Sequence, residues 1–180
     1  LDGKTIRHSH DTALGKSAIH MVSAWSAHNR LILGQMKVDD KSNEITALPR
    51  LLQLLDVKGC LVTIDAMGCQ TGIAQQIVEQ DGDYLLAVKK NQECLFEDID
   101  HLFKHSNAEN FKAEGFDEHR TVGKEHGRLE IRHCQVISAP DWLDHLRHRR
   151  DWKKLHSIVR LCAERQMGGK TSQECRYYIC

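Results

Sequence analysis

The sequence predicts an α/β fold: a mixed sheet of three antiparallel strands followed by a βαβ unit, with a β-rich insertion attached to it. Three observations carry this reading. Leu61-Val62-Thr63-Ile64 is an uninterrupted, β-branched apolar run, which suits a strand covered on both faces. From Thr71 the spacing becomes helical, with Ile73, Ala74, Ile77 and Val78 on one face and Gly82 as a C-terminal stop. Tyr84-Leu85-Leu86-Ala87-Val88 then reads as a second buried strand, ending at Lys89-Lys90. Two such strands should run parallel, with a right-handed crossover. Open α/β sheets place their sites at the carboxyl ends of strands, and here those ends carry Asp65 on one strand and lysines on its neighbour.

Taken in order, Leu1 to Arg7 forms a short strand carrying Asp2. Ala18 to Ala27 and Leu31 to Val38 form two more, and the His28-Asn29-Arg30 link suits an antiparallel hairpin. Asn43 caps a helix reaching Leu55, with Leu48, Leu51, Leu52 and Leu55 on one face. Pro49 is awkward inside it and moves the expected regular start to about Thr46. After the βαβ unit, Gln92 to Phe103 is an amphipathic helix with Leu95, Phe96, Ile99, Leu102 and Phe103 inward. Strands 1-2-3, helix, strand 4, helix, strand 5, helix describes an RNase H-like core over residues 1–105.

Residues 106–180 are expected to be the β-rich insertion. Ser106 to Gly115 is loop-like; Phe116 to Val122 and Leu129 to Ser138 read as a hairpin around residues 123–127. Asp141 to Arg150 is a short basic helix. Ser157 to Cys162 and Glu174 to Cys180 form a further strand pair joined through residues 167–172.

Composition bounds the function. Lys plus Arg (25) balances Asp plus Glu (25), so a nucleic-acid partner must be argued from local patches. A hydrophobic content of 41% with 2 prolines indicates a folded globule; no apolar run is long enough to cross a membrane, and no signal-peptide pattern is visible. The 7 cysteines (Cys60, Cys69, Cys94, Cys134, Cys162, Cys175, Cys180) are odd in number and scattered, and read as reduced, buried thiols of a cytoplasmic protein. The chain starts at Leu1 rather than Met and stops at Cys180 inside an apolar run, which reads as a fragment.

Asp2 and Asp65 are the main candidates for chemistry. In the order above, strands 1 and 4 are neighbours at the centre of the sheet, so their acids converge although remote in sequence. Two carboxylates with water suit Mg²⁺ or Mn²⁺, leaving room for phosphate oxygens. With two ions about 4 Å apart, one activates the attacking oxygen and the other steadies the leaving group. Taken singly, an aspartate at a strand end is more often a cap or turn former.

The wording Leu1-Asp2-Gly3-Lys4-Thr5, Lys41-Ser42-Asn43-Glu44-Ile45, Thr63-Ile64-Asp65-Ala66-Met67-Gly68-Cys69-Gln70, Asp83-Tyr84-Leu85-Leu86, Lys89-x-Asn91-Gln92 and His126-Gly127-Arg128-x-Glu130-x-Arg132 resembles the H-repeat-associated transposases, bacterial insertion-sequence enzymes of the DDE type. The resemblance covers essentially the whole chain. It implies an RNase H-like catalytic domain with a β-insertion that cuts DNA at transposon ends and joins the freed 3′-hydroxyl to a target strand, using Mg²⁺. Asp2 and Asp65 fall on the family's first and second acidic positions, as catalytic residues and metal ligands. The third acid is expected on a helix beyond the insertion, in a Trp-x-Ile-Glu-Asn setting that does not occur here. The resemblance therefore implies a transposase fragment, a pseudogene product, that binds divalent metal weakly and does not transpose. Double-stranded DNA is the implied partner, with pairing to full-length transposase as a possible oligomer.

Glu130 is the tempting substitute for the missing acid, but strand alternation pairs it with Arg132 in a salt bridge. With Glu130 as third acid the chain would instead be a stand-alone nuclease; with none, an inert or DNA-binding remnant. Lys89, Lys90 and Asn91, at the tip of strand 5, are candidate phosphate contacts, with solvated turn residues the plainer reading. So are Arg147, Arg149, Arg150, Lys153 and Lys154, which stand against one acid, Asp151, in His145 to His156. Gly168-Gly169-Lys170-Thr171 lacks the first glycine of a phosphate-binding loop, where Glu164 stands. His8-x-His10 and His133-Cys134 have no second pair at zinc spacing, and Cys69 has no identifiable base.

Overall fold

The computed structural model describes residues 1–6, 9, 18–38, 44–106, 110–125 and 128–180. It is mixed α/β and divides into two compact units, Leu1–Leu86 and Ala87–Cys180.

The first unit begins with an antiparallel sheet in the order β1 (Asp2–Thr5), β2 (His20–Ser26), β3 (Leu31–Lys37). A register shift between Ala24 and Trp25 interrupts the β2–β3 ladder. Helix α1 (Glu44–Gln53) follows and covers one face of this sheet. It starts at Glu44, earlier than the proline suggested, and runs through Pro49. A proline inside a helix costs about 3 kcal/mol, whereas full burial of a leucine contributes about 1.5–3 kcal/mol. Leu48, Leu51 and Leu52 are at most 1% exposed, so their burial outweighs the one backbone bond lost to Ile45. The expected Asn43 cap lies outside the described residues.

Strand β4 (Leu61–Ile64), helix α2 (Thr71–Glu79) and β5 (Asp83–Val88) form the expected βαβ unit, with β4 and β5 parallel and Ile64 opposite Leu86. Helix α2 lies beside α1: Gln76 Nε2 donates to the Pro49 carbonyl at 2.9 Å. Its end is a Schellman turn, with the Gly82 amide donating to the Ile77 carbonyl at 3.0 Å. The left-handed residue there is Asp81 (φ 58°), not Gly82. A Cβ at 82 would lie 3.0 Å from the Val57 carbonyl oxygen and 3.2 Å from that of Ile77, tighter than ordinary contact. The single continuous sheet expected from the sequence is instead two, since β1 and β4 share no ladder among the described residues.

In the second unit, β6 (Phe116–Glu125), β7 (Arg128–Ile137), β8 (Ile158–Met167) and β9 (Lys170–Ile179) form successive antiparallel pairs. Phe116, Ile137, Ile158 and Ile179 stand opposite one another across all four strands, and the three isoleucines are fully buried. Helix α3 (Glu93–His105) packs here through Phe96, whose ring meets Tyr177 edge-on at 5.3 Å. Tyr177 Oη donates to Asp100 Oδ1 at 2.7 Å. The Arg160 guanidinium donates to Gln135 Oε1 and to the Phe103 carbonyl, and lies 4.8 Å from the Phe103 ring centroid.

Three expectations for this half need correction. The strands are longer than predicted, because Gly168 (φ 56°) and Gly169 (φ 75°) make a two-residue turn of the kind that matches strand twist. The basic helix expected over 141–150 is a four-residue helix α4 (Pro140–Leu143), then turns and a 3-10 turn at Arg149–Asp151, with His148 left-handed (φ 58°). Burial of Leu143, Leu146, Trp152 and Leu155 holds that segment, at a spacing no single helix provides. Lastly, Cys162 and Cys175, directly opposite on β8 and β9, are joined in a disulfide, and Cys60 and Cys94 are exposed, against the expectation of reduced, buried thiols.

Candidate metal centre

The period of two along a strand decides where the acids point. On β2, Val22 and Ala24 are buried, 0% and 2% exposed. Their cross-strand partners Gly3 and Gly34 share their face. That face is the one under α1: a Cβ on Gly34 would lie 3.2 Å from Leu51 Cδ1, and one on Gly3 would run into the Glu44 carboxylate. Asp2, paired with Ser23, which is paired with Gln35, therefore stands on the opposite, open face. Gln35 Nε2 donates to Ser23 Oγ at 3.2 Å along this row.

The same alternation holds in β4. Val62 and Ile64 are buried, whereas Leu61, Thr63 and Asp65 are exposed. A Cβ on Gly68 would touch both Ile64 and Leu48 of α1, so Ile64 faces the helices. Asp65 continues the extended backbone (φ −69°, ψ 179°) and projects to the open side with Leu61 and Thr63. The start of β1 is tied to this end of β4, because the Leu1 nitrogen donates to the Thr63 carbonyl at 2.6 Å. Asp2 and Asp65 are thus both exposed, and the residue before Asp2 is hydrogen-bonded to the residue two before Asp65.

Asp65 also caps its own turn. Its Oδ1 accepts from the Met67 amide at 3.2 Å, at the head of the 3-10 turn Ala66–Gly68. The capping role and a metal role are compatible, since a carboxylate has two oxygens and about four lone-pair sites. The donor set suits a hard cation that keeps several waters. Among the described residues no cluster of three or more His, Cys, Asp or Glu side chains comes together to hold a metal.

Glu130 has its own partners within its unit. It lies in the second unit between Arg128, Arg132 and Arg165, and hydrogen bonding from Arg132 leads the effects that hold its carboxyl below the usual range. Glu44 lies against Gly3, on the helix side of β1.

The candidate phosphate contacts all belong to the second unit. Lys89, Lys90 and Asn91 follow β5 and are exposed. Arg147 is committed elsewhere: its Nε donates to Asp98 at 2.8 Å and its Nη2 to Glu97 at 3.0 Å, both on α3. Arg149 pairs with Asp144. Arg150, Lys153 and Lys154 are exposed. Of the histidines weighed for zinc, His133 Nε2 bonds Glu118 at 2.8 Å, and His8 and His10 lie outside the described residues. Cys69 is fully buried, and burial pushes its thiol up to about 12.

One group escaped the sequence reading. Thr5 Oγ1, His20 Nδ1 and Nε2, and Glu44 Oε1 form a chain of contacts of 2.9 Å and 2.5 Å. The only trace of it in sequence is a histidine opening a strand and a glutamate opening a helix, and neither spacing nor composition pairs them.

A chain with a mixed α/β fold and two aspartates at neighbouring strand ends invites comparison with metal-dependent enzymes acting on nucleic acid. Residues 1–151 match the transposase DDE domain, and the chain belongs to that family. It is similar to the H repeat-associated putative transposase YhhI of Escherichia coli (strain K12), at 42% identity over 183 residues, 99% of this chain and 47% of that protein. A second, YbfD of the same organism, is 47% identical over 143 residues, 79% of this chain and 55% of the relative. An uncharacterized protein in the dhlA 3′ region of Xanthobacter autotrophicus is 42% identical over 179 residues, 99% of this chain and 58% of its own length. The chain thus spans about half the length of the curated relatives it matches. No solved structure matches it.

Proposed function

We propose that this chain carries the two-aspartate part of an RNase H-like catalytic domain of a DDE transposase, with Asp2 and Asp65 as ligands for Mg²⁺ or Mn²⁺. Residues 1–105 are read as the core and 106–180 as its β-rich insertion. The proposal is supported by the exposure of both Asp2 and Asp65, with the Leu1–Thr63 hydrogen bond joining the segments that carry them, in a chain that belongs to a transposase family.

A divalent ion bound there supplies Lewis-acid activation of an attacking oxygen and stabilisation of a leaving one. The chain's own part is to hold two carboxylates in place and leave that face open to a DNA backbone. Asp65 is held by its cap to Met67. Asp2 is held through the β1–β2 ladder. Lys89, Lys90, Asn91, Arg150, Lys153 and Lys154 are proposed phosphate contacts; Arg147 and Arg149 are weaker candidates because acids already engage them. Residues 1–180 are read as binding divalent metal weakly through these two acids. Double-stranded DNA is the substrate of the parent enzyme in this reading, and the cytoplasm its compartment.

Mn²⁺ titration, followed by the electron paramagnetic resonance of the free ion, tests the site. The unaltered chain should bind saturably, and Asp2→Asn and Asp65→Asn should each abolish that binding. Equal binding by all three chains, or none by the unaltered one, removes the assignment.

A further inference from the structure

Strand β1 is held from three directions. Its ladder to β2 runs from Asp2 opposite Ser23 to Thr5 opposite His20. Its start donates to Thr63. From the helix side, the Glu44 carboxylate rests directly on Gly3: a Cβ there would fall 2.1 Å from Oε1 and 2.6 Å from Oε2. Gly3 does not have a positive φ, and what a Cβ there would meet is the carboxylate end of the Glu44 side chain.

The carboxylate on Gly3 is itself fixed. His20 Nε2 lies 2.5 Å from Glu44 Oε1, and Thr5 Oγ1 lies 2.9 Å from His20 Nδ1. A carboxylate only accepts, so Nε2 carries the proton; in the neutral ring Nδ1 then accepts the Thr5 hydroxyl. The Glu44 side chain is 15% exposed and that of His20 31%, so the pair is shielded from full solvent competition. Three elements, β1, β2 and the first turn of α1, are thereby closed around the residue next to Asp2.

We propose that Thr5, His20 and Glu44 are positioning residues: they clamp the β1 backbone at Gly3 and so fix the direction in which Asp2 presents its carboxylate on the opposite face. The inference rests on Asp2 being a metal ligand, as proposed above. Glu44 acts through the backbone, because Gly3 faces α1 while Asp2 faces away from it. Groups that orient a ligand typically change metal affinity by about 10–100-fold when removed.

The test is the Mn²⁺ titration on the 180-residue chain, with thermal unfolding run beside it. Glu44→Ala should weaken Mn²⁺ about 10-fold or more, while Glu44→Gln, which still accepts from Nε2, should bind like the parent. Gly3→Ala should behave as Glu44→Ala, since its methyl takes the carboxylate's place. If Glu44→Ala does not fold, Thr5→Val, which keeps the shape and removes the hydroxyl, should still weaken binding several-fold. Parent-like affinity in folded Glu44→Ala or Thr5→Val, with Asp2→Asn inactive in binding, overturns the clamp alone. Parent-like affinity in Asp2→Asn overturns the metal assignment and the clamp with it.

Discussion

Gly68 and Gly72 stand four residues apart, and substituting each by alanine should move stability in opposite directions. Gly68 closes the 3-10 turn after Asp65, and a Cβ there would lie 2.3 Å from Ile64 Cγ2 and 2.8 Å from Leu48 Cδ1. Both neighbours are buried, 5% and 1% exposed, so neither can swing into solvent. Overpacking of this kind costs about 1–3 kcal/mol, and the lower entropy of the unfolded chain returns about 0.4–1 kcal/mol. The net expectation for Gly68→Ala is a loss of about 1–2 kcal/mol, which for this size lowers Tm by about 2–4 °C per kcal/mol. Gly72, in the first turn of α2, has nothing within 4 Å of its Cβ position, and alanine there should stabilise by about 0.5–1 kcal/mol. Thermal unfolding of the parent and both variants in one buffer reads both signs. A Gly68→Ala chain at or above the parent Tm would mean that the turn beneath Asp65 is not packed against Ile64 and Leu48 as described. The functional correlate is Mn²⁺ affinity, because the displaced turn carries the Met67 amide that Asp65 caps.

Thiol alkylation near pH 8 should modify Cys60 and Cys94, which are exposed, and leave Cys69, whose thiol burial pushes up to about 12, untouched until unfolding. Cys162 and Cys175 should react only after reduction, and breaking their link, 13 residues apart in sequence, should lower stability by about 3 kcal/mol; alkylation of either without reductant would contradict the disulfide. Burial, then the hydrogen bond to Asp100, pushes the Tyr177 phenol from its ordinary 10.0 up to about 12. Because the folded chain favours the neutral phenol, that stability is complete below about pH 10 and drains as pH rises towards about 12. Unfolding free energies across that window should fall for the parent and more shallowly for Tyr177→Phe, and parallel curves would remove Tyr177 from the account.

Elements whose apolar spacing is regular were legible in the sequence. The βαβ unit and α3 needed only the switch between periods of two and of about 3.6. The hairpin of β2 and β3 was legible from the three-residue link between two strand-like runs. The failures share another cause. Pro49 suggested a later helix start because local propensity ignores what Leu48, Leu51 and Leu52 bury. The segment around Arg149 suggested a helix from its charges, whereas Leu146, Trp152 and Leu155 fold it into turns. The Cys162–Cys175 link depends on a register that becomes evident only once Gly168-Gly169 is seen to be the whole turn.

The site divides along the same line. An acid following a β-branched run singles out Asp65 as a candidate without help from tertiary structure, and the strand-borne Asp2 is its proposed mate. Which face each acid occupies was beyond reach, because a slip of one residue in the β1–β2 register would exchange Asp2 with Gly3. In that slipped register Asp2 would point at α1, towards the Glu44 carboxylate, leaving the open face to a glycine. Thr5 opposite His20 favours the observed register by hydrogen bonding. A glycine beside an acid is uninformative in one dimension; here it is the space that lets a helix-borne carboxylate close onto β1, with the candidate ligand turned to the other side.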